Sequence, residues 1–190
     1  MKKSTLKLEY NSPVILTFAL LSLLVLGLDL LTGGVSTRKL FCVYRAPLSD
    51  LFAWPRMVLH VLGHSNWAHY MGNMTLLLVI GPPLEERYGS KRLFSCIFIT
   101  ALVSGLIQFF FFPNTALLGA SGIVFMLVLL SSLSGMSQGS IPLTFLLVAF
   151  IYLGEELVTA LTTRDNVSQL THIVGGVCGA VLGLSMRHKS

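Results

Sequence analysis

The sequence predicts an all-α, polytopic membrane protein with six transmembrane helices and both termini cytoplasmic. Three observations predict it. Of 190 residues, 54% are apolar and only 11% charged, whereas a soluble domain carries about a quarter charged residues. From Leu93 to Gly154 there is no Asp, Glu, Lys, Arg or His at all, a run longer than any globular core element needs and suited to lipid. At roughly 20 residues per span, the chain holds about five to seven helices and leaves nothing over for a soluble domain. Residues 1–190 are therefore read as one transmembrane domain.

Apolar runs cover about 13–31, 67–84, 93–112, 117–134, 141–161 and 168–186. The first, from Pro13 to Leu28, follows a basic start and reads as a signal peptide or a first span; it lacks a small-x-small cleavage site and is taken as a span. Breaks are expected at Gly33-Gly34, Pro82-Pro83, Pro113-Asn114, from Gly135 through Gly139, and from Thr162 through Asn166. With the N-terminus inside, Lys2, Lys3, Lys7, Arg87, Lys91, Arg92, Arg187 and Lys189 lie on the inner side, against Arg38, Lys39, Arg45, Arg56 and Arg164 outside. That imbalance places both termini in the cytoplasm. The loop of about 35–66 holds Leu48, Leu51, Phe52, Trp54, Met57, Val58 and Leu62. This is too apolar for a solvated linker and too interrupted to span, so it is expected to lie in the outer interface.

A net charge of +5 with no basic stripe excludes nucleic acid as a partner. Three cysteines, Cys42, Cys96 and Cys178, imply no disulfide framework. Polar side chains are costly in hydrocarbon, so those inside spans become functional candidates. His69 and Asn73 stand four apart in the second span and share a face. Ser121 follows Gly119-Ala120 and precedes Gly122 at the start of the fourth span. His172 opens the sixth and is followed by Gly175, Gly179 and Gly183.

Together these residue types suit acyl transfer. A serine hydroxyl is a weak nucleophile at neutral pH and needs a base within hydrogen-bond reach, for which a neutral imidazole serves. His172 can reach Ser121 only if the fourth and sixth spans pack closely, which small-xxx-small faces permit. An oxyanion would find donors in the Ser121 backbone N–H, His69 and Asn73. Each feature alone has a blander reading: a membrane serine usually bonds a carbonyl, and a His/Asn pair is often interhelical glue. Their joint occurrence in one small chain makes the catalytic reading the stronger.

These stretches resemble the rhomboid family of intramembrane serine proteases, of the bacterial type with a six-helix core. His69-Tyr-Met-Gly-Asn73 matches its His-x-x-x-Asn, Gly119-Ala-Ser121-Gly122 its Gly-x-Ser-Gly, and His172 with Gly175 and Gly179 its last-helix histidine. Weaker matches are Glu85-Glu86-Arg87-Tyr88-Gly89 after the second span, and Ser104 and Gln108 in the third. The resemblance implies a Ser121–His172 dyad without a carboxylate, oxyanion stabilisation by His69 and Asn73, and a water relay through His60, Ser104 and Gln108. The ring stacked on the catalytic histidine is usually Tyr in the family and is Phe125 here. The family's adjacent Trp-Arg becomes Trp54-Pro55-Arg56. Glu155 and Glu156 fall late in the fifth span, which resembles the helix thought to move to admit substrate; two interfacial acids are the plainer reading.

Other functions fit less well. His60 and His64 are four apart, but no glutamate lies between them as a metalloprotease requires. Only Asp29 lies near a span, where an aspartyl protease needs two such acids. His60, His64 and His69 have no acid or cysteine beside them for a metal transporter. The serious rival is a non-catalytic rhomboid-like protein that binds or chaperones membrane helices. The expected activity is hydrolysis of transmembrane or juxtamembrane segments of other membrane proteins, with no cofactor and no metal. The expected setting is the bacterial cytoplasmic membrane, with the site open to the extracytoplasmic side.

Overall fold

The computed structural model describes residues 9–134, 141–148, 150–151 and 166–187. The chain is mostly helical. In order it forms α1 (Pro13–Thr32), α2 (Val35–Leu40), β1 (Val43–Tyr44), α3 (Ala53–Leu59) with a 3-10 turn at His60–Leu62, α4 (Trp67–Tyr88), α5 (Ser90–Phe111), β2 (Ala116–Leu117) and α6 (Ser121–Ser134). Helical residues 143–148 form α7, and α8 runs Asn166–Arg187. By length and composition, α1 and α5 are long and apolar enough to cross a bilayer. The later part of the run at 141–161, with Glu155 and Glu156, lies outside the described residues.

α1 opens on Pro13, whose missing N–H costs nothing in a first turn. Its next donors are satisfied from α4: the Glu85 carboxylate accepts from Val14 N–H at 3.0 Å and Ile15 N–H at 3.1 Å, and from the Ser90 hydroxyl at 2.7 Å. A carboxylate at a helix N-terminus is favoured there by the dipole, and three donors offset its burial. Ile15, Leu77, Leu84 and Leu93 are buried in the core that α1 shares with α4 and α5.

The break expected at Pro82-Pro83 does not occur. α4 continues through both prolines to Tyr88, so Glu85 lies in its last full turn and not in a following loop. The two rings remove backbone donors, but burial of Leu84 and the tie from Glu85 to α1 hold the last turn helical. The run expected from 117 also begins differently. Ala116 and Leu117 are paired antiparallel with Tyr44 and Val43, and α6 starts only at Ser121.

The segment 35–66 is folded. Val43, Ala53 and Met57 are buried with Phe109 and Leu117, whereas Leu48, Leu51, Phe52 and Trp54 point their apolar surface outward. Arg56 is only 2% exposed. It pairs with Asp50 at 2.5 Å, donates to the Tyr44 hydroxyl and lies 4.2 Å from the centre of that ring. The Phe52 N–H, together with the Arg56 guanidinium, holds the Asp50 carboxyl below its usual range. Pro55 falls in the first turn of α3, where an amide donor would be unpaired anyway. The inserted proline therefore leaves the Arg56 anchor intact.

Candidate active site

α4 begins with Asn66, whose side chain accepts from the His69 N–H at 2.8 Å, an N-cap that places His69 in the first turn. The His69 Nδ1 is engaged with the Ser65 hydroxyl at 3.2 Å. Asn73 lies one turn further along the same face. It is buried, and its amide nitrogen has no hydrogen-bond partner among the described residues. An orphaned buried donor is rare enough to need an explanation.

Facing this pair is the strand entering α6. β2 holds it to β1, and the Gly119 N–H donates to the His60 carbonyl at 2.9 Å. Gly119 has a φ of 118°, a conformation L residues avoid, and an added Cβ would meet His69 Cε1 at 2.7 Å and Nε2 at 2.8 Å. The same position is 3.9 Å from Asn73 Nδ2. The glycine thus lets backbone approach both side chains, two residues before Ser121. Ser121 is the first residue of α6 and is half-buried.

The third contributor comes from α8. Built Cβ atoms at Gly175 and Gly179 would strike the carbonyl oxygens of Gly122 and Met126, so α8 lies backbone against backbone on α6. The glycine ladder does what its spacing predicts. The His172 ring stacks on Phe125, with centroids 5.8 Å apart and planes at 20°. Phe125 lies one turn along α6 from Ser121, so the imidazole lies over the face that carries the serine. His172 is well inside α8, which starts at Asn166, and not at its opening.

His60, Ser104 and Gln108 are all buried. The His60 Nδ1 is 3.3 Å from the Arg56 carbonyl, and its Nε2 and the Ser104 hydroxyl have no partner among the described residues. Burial pushes His60 down to about 4, so it is neutral near pH 7. Gln108 is turned to the loop before β2: its amide donates to the Thr115 carbonyl and hydroxyl, each at 3.1 Å. That is a positioning role for the strand leading to Ser121, beside any part in holding water.

The sequence groups His64 with His60 and His69 only as a poor metal set, and the structure places its ring beside that of His69. Its ring lies edge-on 5.0 Å from that of His69 and 5.5 Å from that of Tyr70, and burial pushes it down to about 4. Among the described residues, no group of three His, Cys, Asp or Glu is arranged to hold a metal ion.

A family model described as the Rhomboid domain matches residues 52–189. Rhomboid-related protein 1 of Caenorhabditis elegans is 31% identical over 69% of this chain and 39% of its own length. Rhomboid protease GluP of Bacillus subtilis is 28% identical over 88% of this chain and 34% of its own. Rhomboid-like protein 11, chloroplastic, of Arabidopsis thaliana is 26% identical over 68% and 51%. The chain thus spans about a third to a half of the length of the curated relatives it matches.

Proposed function

The chain belongs to the rhomboid family and is a polytopic membrane protein, and from that premise we propose that it is an intramembrane serine endopeptidase. Its substrates are the transmembrane or juxtamembrane segments of other membrane proteins. One domain of six spans, with both termini cytoplasmic, holds a hollow open to the extracytoplasmic side of a bacterial cytoplasmic membrane. Helical backbone is protected by its own hydrogen bonds, so the scissile segment must unwind before attack.

In the reaction, Ser121 attacks the scissile carbonyl while His172 takes its proton. The tetrahedral oxyanion accepts from the Ser121 backbone N–H, His69 and Asn73. His172 then returns the proton to the leaving amine. Water, deprotonated by the same imidazole, cleaves the acyl-enzyme and frees Ser121. Phe125 keeps the imidazole in place by stacking, and no cofactor takes part. A neutral His60, with Ser104 and Gln108, holds the attacking water near the site.

The observation that supports the reading best is the packing of α8 backbone on α6, which stacks the His172 ring on Phe125 one turn from Ser121. The test is cleavage of a reconstituted model substrate with a small residue before a helix-weak segment. Ser121→Ala and His172→Ala are each expected to abolish cleavage. Parental rates in both would overturn the assignment and leave a helix-binding, non-catalytic rhomboid-like protein.

A further inference from the structure

At the end of the bundle away from Ser121, the N-terminal part of α5 and the C-terminal turn of α8 flank an open cleft of about 330 Å³. Lys91 and Arg92 line it from α5 with Ser95 and Cys96, and Leu182, Ser185 and Met186 line it from α8. Both cations are exposed, and the one ion pair among the described residues is Arg56 with Asp50, far along the chain from either. Glu85, the acid nearest in sequence that is buried, is committed to the α1 amides and Ser90. The cleft therefore carries two positive charges, neither of them in an ion pair among the described residues.

Its depth says what neutralises them. α5 has 22 residues, about 33 Å at 1.5 Å per residue, so the cleft sits about one bilayer thickness from the Phe111 end that adjoins β2. That separation matches the distance between the two headgroup layers of a bilayer whose apolar core is about 30 Å thick. Below the two charges, Leu182 and Met186 offer apolar surface of the kind an acyl chain covers. Arg87 in the last turn of α4 adds positive charge to the same end of the molecule.

We propose that this cleft binds the phosphate of an anionic phospholipid in the leaflet opposite Ser121, with Lys91 and Arg92 as its counter-charges. A basic pocket between membrane helices has the chemistry for such a headgroup. The lipid bridges α5 to α8, so it braces the helix that also carries His172. The inference needs only that the chain lies in a bilayer, and it stands or falls independently of whether Ser121 is reactive.

The test titrates the full chain, in neutral detergent, with short-chain phosphatidylglycerol, with phosphatidylcholine of the same chains, and with inorganic phosphate. Two cations, each contributing about a factor of five near the surface, give an expected preference for phosphatidylglycerol of about 25-fold. Lys91→Gln with Arg92→Gln should reduce its affinity to that of phosphatidylcholine. Arg38→Gln with Lys39→Gln, a cation pair at the other end, should leave the preference intact. Ser185→Phe, which fills the cleft and keeps both charges, should also weaken phosphatidylglycerol binding and decides the matter if the double variant does not fold. No preference in the parent, a preference surviving both cleft variants, or displacement of the lipid by equimolar inorganic phosphate would each overturn the proposal.

Discussion

Asn73 is a buried amide on the face of α4 that also carries His69, beside the Gly119 backbone that leads to Ser121. Under the proposed mechanism its amide donates to the developing oxyanion. Asn73→Ala is expected to lower kcat about a hundredfold, about 3 kcal/mol, with little change in KM, because the bond forms only in the transition state. Steady-state kinetics on the model substrate read this split. His60 and His64 lead to a second expectation. Both are held near 4, below the ordinary 6.5, by burial. Above 6.5 neither folded nor unfolded chain binds these protons, and stability is unaffected. Between 6.5 and about 4 the unfolded chain takes them up and the folded chain does not, so stability falls with falling pH, by up to about 3 kcal/mol for each histidine. The thermal midpoint should drop over that window, and His64→Gln should make the drop shallower. At this scale His69, Asn73, Ser121 and His172 were legible because a polar residue in a span stands out against its surroundings. Ser65 and Asn66 were not, since loop residues in polar company carry no such contrast.

At the scale of elements, the pair α6 and α8 decides whether a site exists at all. Gly175 and Gly179 put the backbones of these helices in contact, and the close approach was readable from the four-residue glycine spacing. Gly179→Val drives two methyl groups and a Cβ at the Met126 carbonyl, which costs about 1–3 kcal/mol as overpacking in a tight interface. The expected outcome is a lower thermal midpoint and reduced cleavage together, measured on the purified variant, although residue 179 lies two turns from His172. Other element boundaries were not legible. Pro82-Pro83 reads as a break, and the helix passes through it because Glu85 and Leu84 are held by α1, a contact distant in sequence. The strand before Ser121 was hidden in an apolar run: its pairing with Val43 and Tyr44 depends on a loop whose fold rests on buried Arg56, Asp50 and Tyr44. Local pattern names the elements; long-range polar contacts set where they stop.

For the molecule as a whole, composition alone identified the membrane, since a chain with 11% charged residues has no soluble surface to offer. What composition cannot convey is that the folded segment 35–66 and the α6 strand meet, through the Gly119 to His60 hydrogen bond, to frame one polar site within an apolar bundle. The proposed function gives this arrangement a single chemical consequence, an activated alcohol on α6. The most direct test is intact-mass and peptide analysis of the detergent-purified chain after treatment with a fluorophosphonate. The account predicts one covalent adduct, mapped to Ser121, absent in Ser121→Ala and lost in His172→Ala. A parent chain that takes up no adduct, or an adduct that persists in Ser121→Ala, would contradict it.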